Sequence, residues 1–473
     1  MKQNPSETAD QLKRVVGGKY VLTGQDARPW GRDWYENATW SPLAVVRPGS
    51  TDEVAAIVRI AHDSKIPVVP VSGNTGLSKG THAEDSIMIS LGRMSRIREI
   101  RPSGRVAVVE AGVVLSNLHD AAEEHGLIFP VTFGARGSAM IGGILSTNAG
   151  GSNVVRYGST RGLCLGIEAV LPDGRILDLM SAMHKDNSGY DLRDLLIGAE
   201  GTLGIITAAV VKLFAKPRAY VTAMAATSSL DGALSLLHIL QSETGGAVEA
   251  FELMPDTFIE AHLKRFSDAR TPFKDMHEIN IMIEIGALSR RDASPSDDGS
   301  IPMADALEEI LARECESGTV LDAVVARSEA QRREMWARRE SAAELSLLYK
   351  PMIHNDVAVP LDRVDDLLNR IRTRATELDP GIRFLNVAHL GDGNLHFTAW
   401  PESGDPKTHE AINLAVEEEA ISLGGSFSAE HGIGISKLHS MTRHKNPVAI
   451  DVMRTLKNAL DPHGIMNPGK VVP

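Results

Sequence analysis

The sequence predicts a mixed fold, α+β or α/β, in two or three domain-sized units. Three observations carry this. The chain has 473 residues, against roughly 150 per domain. Its 43% hydrophobic and 23% charged residues are those of a globular protein with a sizeable core. Segments with strand and helix character also alternate irregularly, without the helix-per-strand rhythm of a barrel.

Taken in order, Ser50-Thr51-Asp52-Glu53 forms a capping box before apolar Val54, Ile57, Val58 and Ala61 at helical spacing. Residues 66–73, IPVVPVSG, are β-branched and run into a glycine turn. Strands are expected at 85–91 and 105–112, and a short helix at 115–126 closed by Gly126. IEAVLPDGRIL (167–177) predicts a hairpin through Pro172-Asp173-Gly174, and 204–214 another strand. Glycine density falls around 216–220, where a boundary is drawn. A helix at 231–243 and a strand at 280–286 follow, then a polar surface loop at 289–300. Helices are expected at 303–315 and 327–348, then further strands and a last helix near 447–460. There is no internal repeat and no long low-complexity tract.

Composition excludes several classes. The net charge of −12 opposes a large nucleic-acid surface, which needs clustered Lys and Arg to neutralise phosphates. Two cysteines, Cys164 and Cys315, cannot frame a disulfide-rich domain and fit a reducing compartment. The polar first twenty residues lack an apolar signal core, and no run approaches the roughly 20 apolar residues of a membrane span. A cytoplasmic location is therefore expected, and the Asn37-Ala38-Thr39 sequon is read as accidental.

Two glycine clusters dominate the first half of a chain with 42 glycines: Pro70 to Leu77, and Gly134 to Gly162. Such loops expose backbone N–H groups and let them approach a phosphate closely, although glycine turns also simply connect strands. Neither cluster is a P-loop or a Gly-x-Gly-x-x-Gly dinucleotide fingerprint. In the second half, FLNVAHLGDGNLHFTAW (384–400) reads as a hairpin. With a Gly391–Asn394 turn, His389 faces His396 directly across the strands. Two such imidazoles are good metal ligands, or a packed polar pair. Glu430-His431 in a glycine-rich turn offers a carboxylate to complete a catalytic set.

The residues resemble the vanillyl-alcohol oxidase / p-cresol methylhydroxylase flavoprotein superfamily over about 40–472. The resemblance is carried by Pro70 to Leu77, Gly137-Ser138, Ile141-Gly142-Gly143, Thr147-Asn148-Ala149-Gly150-Gly151, Arg156-Tyr157-Gly158, Gly189-Tyr190-Asp191-Leu192 and Gly198 to Ile206. In the second half it is carried by His389 to His396, Glu430 to Gly434 and His463 to Lys470. It implies an α+β fold: a two-part FAD-binding domain over 1–216, then a ferredoxin-like-plus-helices substrate and metal region over 217–473, its last segment returning to the FAD domain.

It further implies FAD held by Pro70, Ser72, Gly73, Asn74, Thr75, Gly76, Leu77, Gly137, Ser138, Gly142, Gly143, Thr147, Asn148, Gly150, Gly151, Arg156, Glu200, Gly201, Gly204, Ile205, Ile206 and Asn467. Some relatives attach flavin through a His in the first loop. Asn74 there implies non-covalent FAD.

In the 2-hydroxy-acid members of the family, the matching residues His389, His396 and Glu430 bind a divalent metal, usually zinc-like, and His431 is the general base. Arg339, three residues after Trp336, matches the Arg that clamps substrate, although any Arg in RREMWARRE could lie on a solvated helix face. Asn394 and His354 match further substrate positions. At 354 the D-2-hydroxyglutarate dehydrogenases usually carry Lys for a distal carboxylate. His354 leans the expectation toward D-lactate, with Lys350 or another Arg able to compensate.

The chemistry expected is metal-assisted deprotonation of the hydroxyl, with hydride passing to flavin. The acceptor is then a separate carrier: an electron-transfer flavoprotein, a cytochrome or a quinone. A homodimer is expected. Competing readings are D-2-hydroxyglutarate dehydrogenase, a metal-dependent hydrolase with purely structural glycine loops, and a non-catalytic flavin subunit of a glycolate-oxidase-like complex.

Overall fold

The computed structural model describes residues 5–34, 38–297 and 299–473. Asn37 of the sequon, and Asp298 within the polar 289–300 stretch, lie outside the described residues. The chain forms two compact units. One comprises Met1–Gly150, Gly158–Ala215 and Glu430–Pro473, and the other Gly151–Tyr157 and Lys216–Ala429.

In the first unit, strands Ala44–Val46, Ile87–Ser90 and Val68–Val71 run parallel, with Val21–Leu22 antiparallel at one edge. The helix Thr51–Ser64 begins where the capping motif places it. Ser50 Oγ accepts the Glu53 N–H at 3.2 Å, and the Glu53 carboxylate reaches back to the Gly49 N–H at 2.7 Å. That is one residue earlier than the usual reciprocal bond. The helix ends at Lys65 in the left-handed region and buries Val54, Ala55, Ile57, Val58 and Ala61.

A second sheet has five antiparallel strands in the order 97–101, 106–110, 205–212, 164–170, 176–179. The expected hairpin is present, with Val170 opposite Ile176 and Gly174 at φ +79°.

The second unit opens as β-α-β-β-α-β: Ala219–Thr227, Leu230–Glu243, Val248–Pro255, Ile279–Ala287, Pro302–Ser317 and Val320–Val325. Its four strands lie in the spatial order 4-1-3-2, the ferredoxin-like arrangement. Val387–His389, Asn394–Trp400 and Ile353–Ala358 extend the same sheet, each antiparallel to its neighbour.

Alternation divides the side chains. Val221, Ala223, Phe251, Leu253, Ile281 and Ile283 pack under helices 230–243, 302–317, 364–378 and 406–422. The other face carries Met224, Met254, Met282, Val387 and Trp400 against helices 256–265 and 329–340.

Two expectations are corrected. The 289–300 stretch is not all loop: Ser289 caps a single turn, Arg290–Ala293. The expected 327–348 helix is two, Glu329–Glu340 and Ala342–Ser346. No Gly or Pro marks that break. It falls at Ser341, whose Oγ donates to the Arg338 carbonyl at 2.6 Å and pairs with His262 Nδ1 at 2.9 Å. The first partner is local and the second is 79 residues away.

Among the described residues, no helix is long and apolar enough to cross a membrane. Burial pushes the Cys164 thiol up to about 12, whereas Cys315 is exposed. The thiolate is the reactive form, so a thiol reagent should label one cysteine of the native protein quickly and the second only on unfolding. Two fast thiols would contradict this packing.

Candidate active site

In the first unit, the glycines of the two loops and of the 198–206 segment include two groups. Gly73, Gly142 and Gly201 are required by the fold itself. A Cβ at Gly73 would run into the Ser138 carbonyl, one at Gly201 into the Pro70 ring, and one at Gly142 would sit 2.7 Å from Ala111 Cβ. The first loop thus lies directly on the second, with Gly143 3.3 Å from Ser72 Cβ by the same measure. Gly204 is confined by the Val170 carbonyl at 3.0 Å.

Gly76 and Gly137 differ. Neither has positive φ, and a Cβ at either would meet no described atom within 4 Å. Neither conformation nor internal packing asks for glycine there; a ligand lying against the backbone would.

Polar residues of the set mostly brace these loops. Asn74, at φ +51°, donates to the Arg32 carbonyl at 3.1 Å and accepts from Thr81 at 2.7 Å. Thr147 Oγ1 bonds the Gly143 carbonyl, and Asn148 Oδ1 accepts the Arg161 N–H. Buried Glu200 accepts the Ile433 and Gly434 N–H groups at 2.7 and 2.9 Å, fastening the turn that follows Glu430-His431. Burial raises its carboxyl pKa against the pull of those two donors. Ile205 and Ile206 are buried in the 205–212 strand. Asn467 donates to the Gly80 and Glu200 carbonyls, and among the described residues its buried Oδ1 has no partner. Open glycine backbone and an unsatisfied buried amide oxygen fit a bound nucleotide cofactor. Gly151 and Arg156 sit in the second unit, where Arg156 Nη1 bonds Glu249 Oε1 at 2.6 Å and the Ala247 and Gly286 carbonyls.

In the second unit, the candidate residues gather on the sheet face opposite the four helices. The hairpin register differs from the expectation. The turn is Leu390–Gly393, with Gly393 at φ +80°. His389 stands opposite Asn394, and His396 opposite Val387. The register has shifted by two residues, and because side chains alternate with period two, both histidines keep one face. Their rings lie 5.1 Å apart, edge to face. Gly391 is needed here, since a Cβ would lie 2.6 Å from Val155 Cγ2.

Two carboxylates that the sequence reading missed serve these rings. His389 Nδ1 bonds Glu252 Oε1 at 2.8 Å, and His396 Nδ1 lies 3.8 Å from Asp356 Oδ1. Both acids are buried. A signal was available at Glu252, an acid flanked on both sides by apolar residues in AFELMP, where an unpaired charge would be costly; Asp356, beside His354 and Asn355, stands out less. Burial alone would raise the Glu252 carboxyl, but the facing His389 and Arg339 hold it down at about 2. Asp392 is raised to about 6 by burial, with Glu252 and Asp356 adding and His389 opposing.

Arg339 is buried rather than on a solvated helix face. Its Nε donates to Glu252 Oε2 at 2.7 Å, while among the described residues its buried Nη2 has no partner. Asn394 Nδ2 bonds Asp356 Oδ1 and the Val357 carbonyl, leaving its buried Oδ1 unsatisfied. His354 Nδ1 pairs with Thr398 Oγ1 at 3.1 Å, and its ring stacks parallel to His396 at 6.4 Å. Glu430 directly follows Ala429, whose N–H bonds the Asp356 carbonyl.

Comparison with known proteins finds two family matches along the chain. Residues 42–180 match the FAD binding domain family, and residues 216–471 the C-terminal domain of FAD linked oxidases. The chain is 35% identical over 468 residues to the mitochondrial D-2-hydroxyglutarate dehydrogenase of Bos taurus, covering 98% of this chain and 82% of that one. It is 35% identical over 472 residues to the D-2-hydroxyglutarate dehydrogenase of Stutzerimonas stutzeri, covering 98% of both. Substrate-bound p-cresol methylhydroxylase has the same fold, with a TM-score of 0.74 at 16% identity over 98% of this chain and 96% of that one.

The two kinds of glycine separate experimentally. Gly137→Val should fold normally and lose flavin affinity at least about tenfold, because the side chain fills ligand space. Gly73→Val should fail to fold, because it meets backbone. Circular dichroism together with flavin absorbance of the purified variants checks both; full flavin content in folded Gly137→Val would contradict the assignment.

Proposed function

Because the chain belongs to the FAD-linked oxidases, we propose that it oxidises the 2-hydroxyl of a D-2-hydroxy acid to the 2-oxo acid, with D-2-hydroxyglutarate the leading substrate. The observation that carries this is Arg339, a buried guanidinium held at Nε by Glu252 with its Nη2 left unsatisfied among the described residues, on the sheet face that bears His389 and His396. A guanidinium so placed suits a substrate carboxylate, which it can meet with charge-assisted hydrogen bonds. The names of the relatives support D-2-hydroxyglutarate. As a member of this family the chain is an oxidoreductase acting on CH–OH, which sets the hydrolase reading aside.

In this reading the first unit binds FAD non-covalently through the two glycine loops, and the second holds the acid. FAD, when bound, supplies the acceptor for the hydride leaving C2. A divalent metal, zinc-like, held by His389, His396 and Glu430, would lower the hydroxyl pKa. The donor set suits a metal: His389 meets the buried Glu252 carboxylate at Nδ1 (2.8 Å), the kind of outer-shell contact that orients a ligating imidazole. His431 takes the hydroxyl proton as general base. Arg339 and Asn394 orient the acid. A separate carrier (electron-transfer flavoprotein, cytochrome or quinone) receives the electrons from a homodimeric enzyme. Retention of the complete His389, His396, Glu430 and His431 set argues against a non-catalytic subunit.

D-Lactate remains the second reading because of His354. Its ring is paired with Thr398 and stacked on His396, and a neutral imidazole is a weaker partner than Lys for a second carboxylate.

An anaerobic flavin-reduction screen over D- and L-lactate, glycolate, malate and D-2-hydroxyglutarate decides the substrate. The expected result is fastest bleaching by D-2-hydroxyglutarate, and no bleaching by any 2-hydroxy acid with metal present would sink the enzyme reading. Prolonged chelation should abolish reduction, and a divalent ion should restore it; indifference to chelator would remove the metal from the reaction. His431→Ala should slow reduction about 10²–10⁴-fold with flavin still bound, and a wild-type rate would refute its role as base.

A further inference from the structure

We propose that Glu252 is a positioning residue, one carboxylate that sets both the metal-ligating His389 and the substrate-holding Arg339, so that the two are placed as a unit. This rests on the metal and clamp roles proposed above. Glu252 lies in the Val248–Pro255 strand, directly opposite His389 in the sheet register. It is fully buried. Its two oxygens are divided: Oε1 to His389 Nδ1 at 2.8 Å, Oε2 to Arg339 Nε at 2.7 Å. With Nδ1 carrying a proton toward the carboxylate, the His389 lone pair is fixed at Nε2. With Nε bound, the planar guanidinium is fixed in orientation and presents Nη2.

A neighbouring ion pair on the same face shows what a purely structural arrangement looks like. Glu284 is met by Arg332 through both Nε (2.7 Å) and Nη2 (2.9 Å), by Trp336 Nε1 (2.7 Å) and by Thr222 Oγ1 (2.8 Å). That pair is closed, with both arms of the guanidinium fork spent on the carboxylate. Arg332 and Arg339 belong to the same helix, 329–340, yet the Glu252–Arg339 pair is open, because the second carboxylate oxygen is given to His389 instead. The geometry trades a bidentate ion pair for a bridge between a metal ligand and a clamp.

Glu252→Gln tests this in the full-length, flavin-loaded protein. The amide retains one acceptor and turns an N–H₂ group toward the other donor, so it cannot serve both. Zn²⁺ affinity, read by competition with a chromogenic chelator, is expected to fall about 10–100-fold. At saturating Zn²⁺ the KM for D-2-hydroxyglutarate should rise about tenfold or more, with the limiting rate of flavin reduction much less affected, as for loss of a substrate-binding contact. Values of both within twofold of wild type would overturn the proposal, and a change in one without the other would overturn the link between them.

If Glu252→Gln does not fold, the double variant with Arg339→Met removes the stranded charge. Its Zn²⁺ affinity should still lie about tenfold or more below that of Arg339→Met alone, and equal affinities would overturn the proposal. A wild-type chain that binds no divalent ion would instead overturn the metal reading itself, and the metal arm of this proposal with it.

Discussion

A β-strand turns successive side chains to opposite faces, and the candidate site depends on that alternation being kept in step across the sheet of the second unit. One face is given to apolar residues under four helices. The other collects Glu252, Glu284, His389, Asn394, His396, Asp356 and His354, residues contributed by five strands. The hairpin shows how strict the constraint is. Its register lies two residues from the arrangement that puts His389 opposite His396, and the rings still meet because two is the period. A slip of one would have sent one ring under the helices. A bulge between Val248 and Ala250 fits the same logic: Glu249 gains the polar face and its partner Arg156, while Val248 and Phe251 stay with the apolar core.

Placing charges on a buried face is expensive unless each is paired and hydrogen-bonded. The second unit meets that cost with three carboxylates, each matched to one arginine: Glu249 to Arg156, Glu284 to Arg332, Glu252 to Arg339. Two of these carboxylates also take a ring or hydroxyl donor, Tyr157 for Glu249 and Trp336 and Thr222 for Glu284. At Glu252 the additional donor is His389, and an arginine nitrogen is left unsatisfied among the described residues. Unsatisfied buried donors are rare in native structures. Here one lies on an arginine that shares its carboxylate with the His389 imidazole.

The first unit uses glycine for two different ends. Where a loop meets backbone or side chains of its own unit, at Gly73, Gly142 and Gly201, a Cβ has no room. At Gly76 and Gly137 there is room, and the absent side chain leaves backbone N–H groups open to a phosphate or ring. Sequence does not distinguish these cases, since both read as glycine in a turn. In the same unit a residue counted among the expected cofactor contacts also braces the protein: the Glu200 carboxylate accepts the Ile433 and Gly434 N–H groups.

Much of this was legible in the amino-acid order, because it depends on local physics. The capping of helix 51–64, the 164–179 hairpin, the strand periods and the flavin-binding family signature all follow from residues close together in the chain. What lay beyond reach shares one cause: it depends on partners far apart in sequence. Ser341, where a helix breaks, is met by His262 from 79 residues away. The hairpin turns at Leu390–Gly393, with Gly393 at positive φ, and does not pair its histidines directly. Glu252 was invisible as a site residue because its partners lie 87 and 137 positions away. The sequence by itself determined the chemistry available, imidazoles, a guanidinium and open glycine backbone, since composition and short motifs carry that. Only the tertiary structure decided which carboxylate each cation faces, because burial makes every such pairing obligatory and chain topology alone chooses the partner.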